Sequence, residues 1–310
     1  MGRVLKLVQP KRLEEYFRDF LWEKQVSGAS ARTLEDYTYH LGNFLKRYKG
    51  NVEDYEKLRQ CALEYLNGNG KLSACTYNLR RAYLKSFFAY LVAQGAIPQN
   101  PLRGVKKRRV EEKPRAIPPE TLKALLGLPD KRYFCGLRDY VLILFSLDTG
   151  ARPGESLKLR VEDFNLREGT VTIPAPVAKT RKPRVLPISP SVASWVQKLI
   201  NARPREWGDA PVFCSENGTE LQHRSWSHIL RKYSKKLGHR VTPYDLRHTF
   251  AIMSLRGGMS PFALRAVLGH TTLTMTQHYL HMSGEDLRRE HDKSSPINQV
   301  MGKRLRRISL

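Results

Sequence analysis

Four side chains in the second half of the chain have the types and spacing to handle a phosphate. Arg152 sits in Thr149-Gly150-Ala151-Arg152-Pro153-Gly154-Glu155, and Arg247 in Thr242-Pro243-Tyr244-Asp245-Leu246-Arg247-His248. His270 closes Leu268-Gly269-His270, and Tyr279 comes nine positions later. Guanidinium groups grip a phosphate through paired N–H donors. A tyrosine oxygen can attack phosphorus and hold it covalently. The rest of the chain suits such a target. It carries 54 Lys+Arg against 29 Asp+Glu, a net charge of +25. An excess of this size repels itself unless a polyanion relieves it. Nucleic acid is the first partner this implies, and an anionic membrane surface the second.

The elements that must position these residues can be read from periodicity. With 310 residues the chain is long enough for two domains, each with its own core. Residues 10–97 read as helix. Leu13, Tyr16, Phe17, Phe20 and Leu21 form one apolar stripe. Leu34, Tyr37, Leu41, Phe44, Leu45 and Tyr48 form a second, opened by a Ser30 cap. A third helix is predicted around Val52 to Leu66. A fourth is capped by Ser73 and closed by Gly95. From Pro98 to Pro119 prolines and charge replace periodicity, which indicates an extended linker. Its basic run, Lys106, Lys107, Arg108 and Arg109, reads as a strap across a nucleic-acid backbone in preference to a plain solvated linker. Beyond Pro119 come helices through Leu122 and Leu125 and through Tyr140 to Leu147. A strand-turn-strand pattern follows over Phe164 to Ile173, with a partner strand at Arg184 to Ile188. After Pro190 the chain is again mostly helical.

Several classes are disfavoured. No run of 18 apolar residues exists, so no helix is expected to span a bilayer. The start, Met1-Gly2-Arg3-Val4-Leu5-Lys6, is too broken by charge for a signal peptide. Cys61, Cys75, Cys135 and Cys214 are scattered without a Cys-x-x-Cys, which argues against a zinc ribbon or a disulfide framework and for a reducing cytosol. There is no Walker-type glycine loop.

Local signals sharpen the four candidates. A cation at the start of a helix faces the positive end of its dipole, so Arg152 reads as an anion site in preference to a stabilising surface residue. Thr242, Pro243 and Asp245 form a helix start with a capping box, which puts Arg247 in the first two turns near free N–H groups. Ser260 to Gly269 is a short capped helix, and it presents His270 just beyond its end. His248 reads as a core or supporting histidine in preference to a catalyst.

In this order, these motifs resemble the tyrosine site-specific DNA recombinases, also called the phage-integrase family, and most nearly the Xer-type members. The resemblance is specific over residues 145–282 and loose over the helical first half. It implies a mainly α fold with a small β-sheet: a helical, SAM-like core-binding domain at 10–102, a basic linker at 103–118, a mixed α/β catalytic domain at 119–290 and a basic tail at 291–310. Arg152 and Arg247 would clamp the scissile phosphate, His270 would hydrogen-bond it, and Tyr279 would attack it to leave a 3′-phosphotyrosyl link. Lys179, in Lys179-Thr180-Arg181-Lys182-Pro183, would protonate the departing 5′ oxygen, with Lys182 the alternative; Arg181 and Lys182 are also expected DNA contacts. Glu155 would be structural.

One position departs from the family: Tyr244 stands where His-x-x-Arg has its histidine. It could donate to a phosphate oxygen, but a phenol is a poor base. His278 and His281 are candidates to replace the lost proton transfer. No metal or nucleotide cofactor is implied. The partners would be double-stranded DNA bearing a specific site, and further copies of the chain in a homotetramer on two sites, coupled through the tail. The place of action would be the cytoplasm, with no membrane. Integration, excision and dimer resolution stay open. The alternatives are a type IB topoisomerase-like relaxase, a DNA-binding architectural protein with impaired catalysis, and a metal-dependent transposase.

Overall fold

A computed structural model describes residues 11–70, 72–110 and 116–272 together with Thr276 and Tyr279. The basic tail, Met275, His278, His281 and Met282 lie outside these residues. The chain divides into two units, Met1–Glu112 and Lys113–Leu310, and each has its own core.

The first unit is four helices: α1 (Leu13–Val26), α2 (Ala31–Leu45), α3 (Tyr55–Asn67) and α4 (Ala74–Ala93). The two predicted serine caps are present. Ser30 accepts from the Thr33 amide and Ser73 from the Thr76 amide, each satisfying an N–H that the helix itself leaves open. The third helix starts later than periodicity suggests, because Asp54 caps it by accepting from Lys57 N–H. The apolar stripes meet in an aromatic centre. Fully buried Phe20 stands edge-on to Tyr37 and Phe87, with ring centroids 5.0 and 5.4 Å apart.

The segment after α4 is fastened to that helix through Arg108. Arg81 donates to the Val105 carbonyl, and Asn78 exchanges hydrogen bonds with the Arg108 backbone. The Arg108 guanidinium lies 4.1 Å from the Tyr77 ring centre and donates to the Leu72 carbonyl.

The second unit holds α5 (Pro119–Gly127), α6 (Phe134–Thr149), α7 (Pro153–Ser156), α8 (Pro190–Asn201), α9 (His223–Leu237), α10 (Pro243–Arg256) and α11 (Pro261–Leu268). A small antiparallel sheet runs in the order β1 (Phe164–Asn165), β2 (Thr170–Ile173), β3 (Arg184–Pro187). Val171 pairs with Leu186. These two, with Ile173, turn their side chains into the core while Val185 faces out, as the two-residue period of a half-buried sheet requires. Helix α6 is the central element: its Val141, Leu142, Ile143 and Phe145 are buried, and it packs against α8 and α10. Among the described residues no helix is long and apolar enough to cross a membrane.

Phe20→Ala should lower stability by about 3–5 kcal/mol, the range for truncating a buried aromatic, measured by urea unfolding. A loss within error of zero would mean that the aromatic centre is not what holds the bundle together.

Candidate active site

Two helix ends meet at the Arg247 side chain. Helix α6 stops at Gly150, whose φ of +60° is a left-handed conformation. A side chain there would also collide with Phe250, since its Cβ would fall 2.2 Å from the ring. Only glycine fits. Helix α11 stops at Gly269 in the same way, with φ of +61°. Both ends expose carbonyls with no partner in their own helix, and arginines fill them. Arg247 Nη1 donates to Gly150 O at 2.6 Å and Nη2 to Leu268 O at 2.9 Å. Arg152 Nη2 donates to Gly269 O at 2.9 Å. The negative ends of two helix dipoles therefore face the two cations.

Arg247 is 4% exposed. Burial, reinforced by the like charge of Arg152, lowers its pKa to about 10, so it stays protonated at neutral pH. Among the described residues no carboxylate lies within ion-pairing distance of it, because Glu155 is held by Arg152 at 3.2 Å and by Arg184 at 2.6 Å. Glu155 also accepts the Lys179 amide, at 3.2 Å. Burial works against this carboxylate, but Arg184, the Lys179 amide and Arg152 outweigh it and hold the carboxyl below its ordinary range. One buried acid thus fixes the first arginine, the third arginine and the β2–β3 turn. Arg184, at the start of β3, also donates to Val267 O.

Helix α10 begins as expected. Thr242 accepts from Asp245 N–H while Asp245 accepts from Thr242 N–H at 2.8 Å. His270 follows α11 directly and takes Arg247 Nη2 at Nε2, 3.1 Å away, so its proton is on Nδ1, donating to Thr276 Oγ1 at 3.0 Å. Burial and then the Arg247, Arg152 and Arg184 charges lower its pKa to about 4. It is neutral near pH 7. Tyr279 packs beside Phe250, Leu264 and Leu268, and its ring lies parallel to that of His270 with centroids 6.4 Å apart. Burial raises the Tyr279 pKa, opposed by Arg247 and Arg152. Its hydroxyl is 2.8 Å from His248 Nδ1.

The structure therefore brings Arg152, Arg247, His270 and Tyr279 into one network. Lys179 joins it through its backbone, with its side chain exposed in the turn. Arg181 and Lys182 are exposed in the same turn, where Arg181 takes a φ of +54°. Tyr244 is 47% exposed on the first turn of α10, and its ring is 6.5 Å from that of His248. Lys106, Lys107 and Arg109 are exposed in the first unit, and Arg108 is turned onto Tyr77. Sequence reasoning had not singled out Arg184, and had put His248 behind the site. The Arg184 link to Glu155 spans 29 positions and has no local signal. His248 was more accessible, standing one turn after Tyr244 and directly after Arg247.

Residues 115–285 match the phage integrase family, and residues 13–95 match the phage integrase N-terminal SAM-like domain. The chain is 31% identical to the tyrosine recombinase XerC of a Roseiflexus species, over 74% of this chain and 77% of that one. It is 27% identical to the tyrosine recombinase XerC of Thermodesulfovibrio yellowstonii, over 92% and 97% respectively. The integrase of the Tn1549 transposon, solved in complex with a circular intermediate DNA, shares the fold with a TM-score of 0.70 at 22% identity, covering 90% of this chain and 99% of that one. With the family profile covering more than half of its length and the arginine, histidine and tyrosine motifs meeting in one site, this chain belongs to the phage integrase family of tyrosine recombinases.

Proposed function

We propose that the protein cuts and rejoins double-stranded DNA at a specific site through a 3′-phosphotyrosyl intermediate. The single observation that carries this is the buried, carboxylate-free Arg247 guanidinium beside the hydroxyl-bearing Tyr279. Burying a cation without a counter-ion costs several kcal/mol. Helix-end carbonyls offset part of this, and a phosphate seated between Arg152 and Arg247 supplies the missing negative charge.

In this reading Tyr279 Oη attacks phosphorus in line with the departing 5′ oxygen. Charge grows on the non-bridging oxygens, where Arg152 and Arg247 already stand, so neither must reorganise as the reaction proceeds. His270 is neutral and locked between Arg247 and Thr276, which orients the second arginine and leaves the site's positive charge to the guanidiniums. Lys179 gives its proton to the 5′ oxygen. Tyr244, at the rim, donates to a phosphate oxygen. A 5′ hydroxyl from a second duplex then attacks the phosphotyrosine and reverses the steps. The bond energy stays in the covalent link, so rejoining needs no nucleotide. Two sites and two strands per site call for four copies of the chain. The large positive charge and the exposed Lys106, Lys107, Arg109, Arg181 and Lys182 support wrapping of a DNA backbone. Four free cysteines fit work in the cytoplasm.

Covalent capture tests the reading. A pool of nicked duplexes with randomised sequence is mixed with the protein, and adducts that survive denaturation are sequenced to define the site. Tyr279→Phe should abolish the adduct and leave DNA binding intact; an adduct mapped to another tyrosine would remove Tyr279 from the role. On the recovered site, Arg152→Ala and Arg247→Ala should each slow single-turnover cleavage by about 10²–10³, as for loss of one preorganised transition-state donor, with a much smaller change in binding. Equal losses in both would make them ordinary backbone contacts. Raising salt from about 50 to 200 mM should weaken binding roughly 10³–10⁵-fold if about 6–10 phosphates are neutralised; a flat dependence by fluorescence anisotropy would contradict a backbone clamp. Exchange between two duplexes, against relaxation of one, separates a recombinase from a topoisomerase-like relaxase.

A further inference from the structure

The Tyr279 proton must go somewhere, and the resemblance offers no acceptor at position 244. Burial holds the phenol protonated at neutral pH. A protonated phenol is a weak nucleophile, so a base within hydrogen-bond reach of Oη is needed. The neighbouring groups can be taken in turn. Arg152, Arg184 and Arg247 are cations with no lone pair to offer. His270 faces Tyr279 ring to ring, and both of its nitrogens are engaged elsewhere, Nε2 by Arg247 and Nδ1 with Thr276. Tyr244 is itself a phenol and stands out toward solvent.

His248 differs from all of these. Its Nδ1 is 2.8 Å from Tyr279 Oη, inside the range for direct proton transfer. It rides on α10, one residue after Arg247 and behind a closed capping box, so the helix that places the phosphate clamp also places this ring. The Tyr244 side chain lies beside it one turn earlier.

From this geometry we propose that His248 is a catalytic base, accepting the Tyr279 proton during cleavage and returning it during rejoining. The assignment rests on the recombinase reading above. In the forward step the Oη–P bond forms as the P–O5′ bond breaks. The phenolic proton moves to His248 Nδ1, with the other imidazole proton on Nε2, and O5′ takes a proton from Lys179. In the reverse step the incoming 5′ hydroxyl gives its proton back to Lys179, and the imidazolium reprotonates the departing Tyr279 oxygen. Proton count and charge balance in both directions without a further reactant. The assignment also accounts for tyrosine at position 244: with the base one turn later on the same helix, position 244 is free to serve only as a donor.

The test uses the full-length protein and the nicked duplex recovered by covalent capture. His248→Ala should slow single-turnover adduct formation about 10²–10⁴-fold, the usual weight of a general base, with DNA binding unchanged. His248→Asn keeps a hydrogen-bond acceptor near the Nδ1 position but cannot take the proton, so it should be as slow as His248→Ala. Added imidazoles should restore His248→Ala in order of their base strength. A 5′-bridging sulfur, which departs without an acid, should rescue Lys179→Ala but not His248→Ala. The assignment is overturned by wild-type rates in His248→Ala, by recovery in His248→Asn, by indifference to imidazole basicity, or by rescue with the sulfur substrate. Absence of any adduct with the wild-type protein would instead overturn the recombinase reading, and this assignment with it.

Discussion

The seat of Arg247 constrains everything around it. A guanidinium is more weakly hydrated than an ammonium and offers five donors in a plane, so it can be buried where carbonyls converge from several directions. Here they converge because α6 and α11 both end in left-handed glycines, at Gly150 and Gly269. Phe250 fills the space a side chain at Gly150 would need, so the close approach of α6 and α10 depends on that glycine. The same α10 carries Arg247, and α10 packs against α6. The helix ends supply partial negative charge but no full counter-ion. The result is a cation stable enough to stay folded and still short of an anion.

Glu155 complements this seat. It is 2% exposed and binds Arg152, Arg184 and the Lys179 amide. Removing the acid would leave two arginines facing each other at the site and would free the turn that bears Lys179. Its location therefore couples Arg152 to the β2–β3 turn that carries Lys179. Burial, and after it the charges of three nearby arginines, lowers the His270 pKa to about 4, so this histidine is a neutral spacer between Arg247 and Thr276. His248 lies outside that locked pair, and its Nδ1 is 2.8 Å from the Tyr279 hydroxyl.

Much of this was legible from local signals. Ser30, Ser73, Thr242 with Asp245, and Ser260 each sit where a helix start needs an acceptor, and each caps one. The three strands follow from alternation at Val171, Ile173 and Leu186. The order of Arg152, Arg247, His270 and Tyr279 by itself points to phosphate chemistry. What remained hidden depends on contacts between distant segments. The Arg184–Glu155 pair and the His248–Tyr279 contact join elements that only packing brings together. Arg108 shows the same limit in the opposite sense: within Lys106 to Arg109 it reads as one more cation of a strap across a nucleic-acid backbone, yet its stacking on Tyr77 and its backbone bonds to Asn78 turn it inward.

The claim at the centre of this account is that Arg152 and Arg247 answer the negative charge of a scissile phosphate. A duplex in which the scissile phosphodiester is replaced by an uncharged methylphosphonate tests it directly, because one non-bridging charge is then missing from the transition state. Cleavage rates of wild type, Arg152→Ala and Arg247→Ala would be compared on both substrates. If the arginines act as described, the defect of each variant shrinks by at least an order of magnitude on the neutral substrate. Defects of the same size on both substrates would show that the guanidiniums do not meet the phosphate charge.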